Sequence, residues 1–239
     1  VSSLKAYRAA VQMVFQDPSS SLNPRMKVGD QVKYPLDVNR IGTPSERRGM
    51  ALEALELVGL KPAEEFYERY PHQLSGGQRQ RVAIGLALTL RLLVADEPIA
   101  NIDVSARAQI LELLRDLKER MGLSMLYITH DLSSAWSIAD TVAVMYLGKL
   151  VEVGPVEEIF EEPLHPYTKA LLQAVPSIGP SKPTGQPVRL KGEIPSPLSL
   201  PTGCRLHPRC PFATERCRTE EPPLKEVGRG RAVACHLYP

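Results

Sequence analysis

The order strand, helix, strand constrains this chain most. The apolar run "LLVA" at 92–95 is followed by a helical pattern from about Ser105, with apolar residues at 110, 113, 114, 117 and 121, and then by the strand-like "SMLYITH". Two strands joined by a helix of that length form a parallel pair, because antiparallel neighbours need only a short turn. The chain is therefore expected to be α/β, built on a parallel sheet. Parallel strands end on one shared edge, and open α/β sheets bind their ligands there. The run 92–95 delivers Asp96 and Glu97 to that edge, and "MLYIT" delivers His130. Far upstream, "MVFQDP" reads as a further strand ending at Gln16.

Adjacent carboxylates at such an edge suit two tasks. Asp96 can hold magnesium, usually through water, while Glu97 polarises an attacking water. Gln16 is a neutral side chain able to ligate magnesium and orient water. The segment "LSGGQRQR" at 74–81 places Ser75, Gly76, Gly77 and Gln78 at the start of a helix. Free backbone N–H groups and the helix dipole favour an anion there, and phosphate is the natural guest. Each feature also has a plain reading: surface acids at a strand end, an ordinary Ser75 N-cap, a hydrogen-bonding histidine. The ordered set decides between the readings, with Asp103 six residues after Glu97 as a further member.

Composition narrows the class. The 239 residues are 43% hydrophobic with a formal net charge of +2, which suits one or two packed globular domains. Basic residues are scattered among acids, so no footprint for nucleic acid is present. No stretch reaches the roughly 18 to 20 apolar residues of a membrane-spanning helix, so any membrane role is expected to be peripheral. A helix capped by Thr43 or Ser45 should run to a stop at Gly59, another should begin near Ser75, "TVAVMYLGKLVEVG" should form two strands meeting near Gly148, and "PYTKALLQAV" a short helix. From Pro176 to Gly203, seven prolines and four glycines in 28 residues read as a linker or extended tract. The sequence opens on Val and contains no Gly-x-x-x-x-Gly-Lys-Ser/Thr loop, so a segment carrying the phosphate loop is expected to be missing from the N-terminus.

Taken together, these motifs resemble the ATP-binding subunits of ATP-binding cassette (ABC) transporters over nearly the whole chain. The resemblance implies a P-loop-type ABC nucleotide-binding domain with an incomplete core sheet, a helical subdomain and a small Cys-containing tail. It implies partial core at 1–16, helical subdomain at 17–88, catalytic core at 89–175, and linker with a four-Cys extension at 176–239. By resemblance, Gln16 is the Q-loop glutamine and Ser75, Gly76, Gly77 and Gln78 are the signature. Asp96 and Glu97 are the Walker B acids, Asp103 the D-loop residue and His130 the switch histidine. ATP and Mg²⁺ are the implied ligands. The implied partners are a homologous ATP-binding subunit paired head to tail, two membrane permeases docked on the region after Gln16 up to about Arg40, and indirectly an extracytoplasmic binding protein. The implied location is the cytoplasmic face of the membrane.

"FQDPSSSLNP", "YPHQLSGGQRQR", "HPYTKALLQAVP" and the late cysteines are similar to the oligopeptide/dipeptide importer branch, which also includes nickel and some oligosaccharide importers. Two departures stand out. The connection "LTLRLLVADEP" is shorter than the usual pattern, and "PIANID" keeps Asp103 but has Ile99 and Ala100 where hydroxyl and leucine residues are common. A non-catalytic subunit that lends only a signature face is one alternative. A DNA-maintenance ATPase with the same head is another, but the 58 residues between Gln16 and Ser75 leave no room for a long coiled coil, and no heptads occur.

Cys204, Cys210, Cys217 and Cys235 are separated by five, six and seventeen residues. Disulfides suit an oxidising compartment rather than a cytoplasmic ATPase. Zinc usually announces itself by Cys-x-x-Cys knuckles, which are missing. Four thiolates also suit a [4Fe-4S] cluster, whose spacing varies more widely. Free thiols remain a further reading. Some members of the peptide-importer branch carry such a cluster, so the resemblance implies a [4Fe-4S] centre, with Zn²⁺ as the alternative and a structural role. His207 and His236 adjoin the cysteines without being required as ligands.

Overall fold

A computed structural model describes residues 7, 10–17, 21–86, 92–100, 102–174 and 187–238. They divide into two units, Val1–His130 and Asp131–Pro239. In the first, β1 (Val11–Val14), β2 (Leu92–Asp96) and β3 (Ser124–Ile128) form a parallel sheet in the order β1-β2-β3. Val14 pairs with Ala95, Ala95 with Tyr127, and Asp96 with Ile128, so the three strands end together. Alternation along β2 buries Leu93 and Ala95 on one face.

Helices α1 (Val28–Asn39), α2 (Pro44–Leu57) and α3 (Ala63–Glu68) pack on one another, and α4 (Gly76–Gly85) lies against α1, α2 and α5 (Val104–Met121). The α2 start follows the expected capping. The Thr43 hydroxyl accepts from the Glu46 N–H at 3.3 Å, and the Glu46 carboxylate accepts from the Thr43 N–H at 2.7 Å. The stripe on α5 buries Ile110, Leu113, Leu114 and Leu117, whereas Met121, at the last position before left-handed Gly122, is exposed. Helix α1 carries Pro35 in its interior yet keeps its buried stripe of Val28, Val32 and Leu36. Residues 87–91, where the shortened connection falls, lie outside the described residues. No described helix is long and apolar enough to cross a membrane.

The second unit begins with α6 (Leu132–Ile138) and is built on an antiparallel sheet. Strands β4 (Thr141–Tyr146) and β5 (Lys149–Pro155) form the expected hairpin. Its two-residue loop, Leu147-Gly148, has positive φ at both positions, the geometry that matches strand twist. After α7 (Val156–Glu161), α8 (Pro166–Gln173) and α9 (Glu215–Thr219), the chain adds β6 (Lys225–Gly228) and β7 (Arg231–Val233). The sheet order is β4-β5-β7-β6, so the end of the chain is knitted into the hairpin that precedes the Pro-rich tract. Leu206 is buried among Tyr146, Val151, Ile159, Phe160 and Leu172, which gives the tail a share in that core.

A buried ion pair fastens β7. The Arg231 guanidinium meets Glu152 at 3.2 Å and Glu158 at 3.1 Å, and it also donates to the carbonyl of Glu162. Glu152, fully buried, accepts the N–H groups of Leu164 and His165 as well, at 2.8 and 2.9 Å. Removing one partner strands the other charge without water, which costs about 3–5 kcal/mol. Arg231→Met is therefore expected to lower the unfolding free energy of this unit by that amount in urea titrations. A loss below about 1 kcal/mol would show that the pair behaves like a surface contact.

Candidate active site

The three parallel strands bring Gln16, Glu97 and His130 into one hydrogen-bonded group. Glu97 Oε2 accepts from Gln16 Nε2 at 3.1 Å, and Glu97 Oε1 faces His130 Nδ1 at 2.8 Å. An ionised carboxylate only accepts, so His130 Nδ1 carries hydrogen in this arrangement, which leaves Nε2 without a proton in the neutral ring. The Glu97 side chain is 25% exposed and that of His130 80% exposed, so the group opens to solvent. Strand β1 stops at Val14, paired with Ala95, two residues short of Gln16.

Glu97 adopts a left-handed backbone, with φ of 46°. For a residue with a Cβ this conformation costs on the order of 1–2 kcal/mol. Two backbone bonds hold it: Glu97 N–H donates to the Ile128 carbonyl at 2.9 Å, and Ala100 N–H donates to the Glu97 carbonyl at 3.0 Å. The kink turns the Glu97 carboxylate between the ends of β1 and β3 instead of continuing the pleat. Asp96, the last residue of β2, remains in register with Ile128 and is half-buried. Strain of this kind recurs where a side chain must be aimed.

Ser75, Gly76, Gly77 and Gln78 start α4 in the same unit, and Asp103 stands at the start of α5. Ser75 and Gln78 make a reciprocal cap on α4, with contacts of 3.2 and 3.0 Å. In both contacts the side chain accepts, and Gly76 and Gly77 occupy the first helical positions. A methyl on Gly77 would stand 3.2 Å from the Ala106 Cβ, so glycine lets α4 approach the first turn of α5; a methyl on Gly76 would meet nothing within 4 Å. Asp103 is the N-cap residue of α5, yet its exposed side chain makes no cap hydrogen bond. Arg107 Nε donates to the Ile102 carbonyl at 2.9 Å and closes the turn before it, a contact that the motif reading missed. Ile99 and Ile102 are buried, so the apolar wording of "PIANID" serves packing. Asn101 lies outside the described residues.

In the second unit, Cys204, Cys210, Cys217 and Cys235 are unpaired and line one small hollow with His165, Leu206, Phe212 and Leu237. Among the described residues, no three His, Cys, Asp or Glu side chains are grouped so as to hold a metal ion. Thr214 Oγ1 lies 3.4 Å from Cys217 Sγ. Burial pushes the thiols of Cys204 and Cys210 up, and that of Cys235 up to about 11. A ligand of these sulfurs must therefore displace protons. His207 Nδ1 is engaged by the Cys204 carbonyl and His236 Nε2 by that of Glu220, both at 3.0 Å.

The family model for ABC transporters matches residues 2–100, and that for the oligopeptide/dipeptide transporter C-terminal region matches residues 151–217. The chain is similar to the di/tripeptide transport ATP-binding protein DppF of Pseudomonas aeruginosa, with 50% identity over 231 residues, 96% of this chain and 70% of that protein. It belongs to the ATP-binding subunits of ABC transporters, in their oligopeptide/dipeptide branch. DppF of Haemophilus influenzae is also 50% identical, over 95% of this ABC subunit and 69% of its own length. Among solved structures, the cassette MJ0796, a post-hydrolysis dimer bound to ADP and Pi, matches with a TM-score of 0.56 and 32% identity, over 64% of this chain and 66% of that one. The transporter component cbiO1 of Clostridium perfringens matches at 0.58 and 30%, over 65% and 61%. The fold of this ABC subunit is thus that of an ABC ATPase domain.

The left-handed kink makes an ordering testable by thermal melting of this ABC subunit. Glu97→Gly relieves the backbone but gives up two exposed hydrogen bonds, so its stability should stay within about 1 kcal/mol of the parent. Glu97→Val places a β-branched residue at positive φ and should lose about 2 kcal/mol or more. Equal melting of the two variants would mean that the kink is not imposed by the fold.

Proposed function

We propose that this chain hydrolyses ATP to drive import of oligopeptides or dipeptides across the cytoplasmic membrane. The observation that carries the reading is the Glu97 carboxylate, held between Gln16 and His130 at the end of three parallel strands, in a chain half-identical to ATP-binding proteins of peptide transport. Glu97 is the general base: its carboxylate can take a proton from water while the His130 ring and the Gln16 amide fix its direction. Asp96 and Gln16 hold Mg²⁺. Ser75, Gly76, Gly77 and Gln78 present a helix N-terminus to the nucleotide of a homologous subunit, and Asp103 reaches towards that partner. Gly76 suits this role because nothing stands in front of it.

Two such subunits pair head to tail beneath two permeases at the cytoplasmic face of the membrane, with an extracytoplasmic binding protein supplying the peptide. In this reading residues 17–88 are the helical part, and the segment after Gln16 up to about Arg40 meets the permeases. Residues 89–175 carry the catalytic acids and the switch histidine, and 176–239 form the Pro-rich linker and four-Cys extension.

Cys204, Cys210, Cys217 and Cys235 are proposed to hold a [4Fe-4S] cluster. The donor set is four thiols that line one hollow, with the Thr214 hydroxyl 3.4 Å from the Cys217 sulfur. A single zinc would draw four ligands to one point, whereas a cubane takes one thiolate at each corner and leaves them further apart. The group would supply a covalent staple to a tail of short strands and turns.

In the assembled transporter, Glu97→Gln should lower ATP turnover by about 10²- to 10⁴-fold while ATP stays bound and the closed dimer persists. Turnover equal to that of the parent would remove Glu97 from the role of base. Anaerobic purification followed by iron and sulfide analysis should find four of each per chain, as a [4Fe-4S] cluster requires. Stoichiometric zinc without iron would overturn the cluster.

A further inference from the structure

One side chain ties the helix that starts at Ser75 to two of its neighbours. Arg81, half-buried on α4, donates from Nη1 to the Val58 carbonyl at 2.7 Å and from Nη2 to Gln109 Oε1 at 3.2 Å. Val58 is the C-cap of α2, and Gln109 lies on α5. A guanidinium suits this task because it is planar and holds its donors in a fixed fork, whereas an ammonium is a point charge on a flexible stem.

The end of α2 is shaped to receive it. The Gly59 N–H donates to the Glu56 carbonyl and the Leu60 N–H to the Leu55 carbonyl, each at 2.9 Å, around a left-handed Gly59 with φ of 75°. This glycine cap satisfies two of the last carbonyls and leaves that of Val58 to Arg81, a cation at a helix C-terminus. A Cβ on Gly59 would stand 2.8 Å from Arg81 Nη1, so the glycine also makes room for the guanidinium. Beyond it the end of α2 and the flank of α5 border an open groove of about 590 Å³, walled among others by Glu53, Glu56 and Asp116. The polar fork, rather than close packing, spans the gap there.

Along α4 and α5, Gly77 approaches Ala106, and one turn further Arg81 reaches Gln109. The contacts run in the same order on both helices, so the two helix starts lie at the same end. One contact leaves a helix free to swing; two fix its angle. The clasp sits six residues from Ser75 on α4 and six from Asp103 on α5, about 9 Å at the helical rise.

We propose that Arg81 is a positioning residue for ATP cleavage: by clasping Val58 and Gln109 it sets the angle of α4, so that the helix start at Ser75 and Asp103 meet the partner's nucleotide as one rigid edge. The inference rests on the reading of that helix start as the cover of a homologous subunit's ATP. Its effect falls on closure rather than on chemistry, because Gln16, Glu97 and His130 hold one another without Arg81. A loosened clasp lowers the fraction of α4 at the competent angle, and the apparent ATP affinity falls by that fraction. Saturating ATP restores the closed state, so kcat is retained.

Gln109 is the arm to remove, since it is exposed and its loss leaves Arg81 on the Val58 carbonyl. The measurement is ATP turnover against ATP concentration in the assembled transporter, with every copy of this chain carrying Gln109→Ala, Gln109→Glu or Gly76→Glu. Gln109→Ala should raise the ATP concentration for half-maximal turnover about fivefold, the worth of one part-exposed hydrogen bond, and keep kcat within about twofold of the parent's. Gln109→Glu gives the guanidinium a carboxylate and should bring that concentration back to the parent's value or below. An unchanged half-maximal concentration in Gln109→Ala, a fall in its kcat alone, or a rise that Gln109→Glu does not reverse would each overturn the positioning role. Gly76→Glu sets a carboxylate at the start of α4, where a methyl meets nothing within 4 Å, and should abolish turnover. Parental turnover in Gly76→Glu would overturn the reading of this helix as the ATP cover, and this inference with it.

Discussion

Parallel pairing of β2 between β1 and β3 is the constraint on which the catalytic half of the protein depends. The register sets Ala95 between Val14 and Tyr127, so residues far apart in sequence leave the sheet at one edge. Gln16 and His130 then flank Glu97 without any direct connection between the loops that carry them. The left-handed turn at Glu97 completes the geometry, since a continued strand would have carried the carboxylate past both neighbours. The apolar run of β2 and the strained residue after it therefore act as one device.

This half was largely legible in the sequence, and for a physical reason. Strand ends, helix caps and apolar stripes are local, so Thr43, Ser75, the β2 run and the stripe of α5 could be read residue by residue. Helix α1 was not legible, because Pro35 interrupts its pattern and only tertiary packing of Val28, Val32 and Leu36 holds it in place. Ile99 and Ala100 read as departures from the usual loop, whereas the burial of Ile99 makes it part of the core. The Gln16–Glu97–His130 bonds could be anticipated only as a shared edge, since the φ of Glu97 leaves no mark in composition.

The cysteine-bearing unit is built on different physics, and the sequence revealed less of it. Strands β6 and β7 are short, and the place of β7 beside β5 is fastened by the buried Arg231–Glu152 contact, with β6 paired to β7. Neither residue carries a periodic signal. The four thiols could be counted, but the hollow they share is set by turns without a periodic signal, and the spacing of Thr214 from Cys217 looks like an ordinary helix start.

The central claim is that the edge formed by Gln16, Glu97 and His130 is where ATP is cleaved and that a partner's helix N-terminus covers it. Its most direct test is a cryo-electron microscopy map of the assembled transporter trapped with ADP and vanadate. The account predicts vanadate against Glu97 and His130, with the helix N-terminus that begins at Ser75 and Gly76 placed over the nucleotide of the opposing subunit. Vanadate bound away from Glu97, or a signature helix facing solvent in the trapped state, would contradict it.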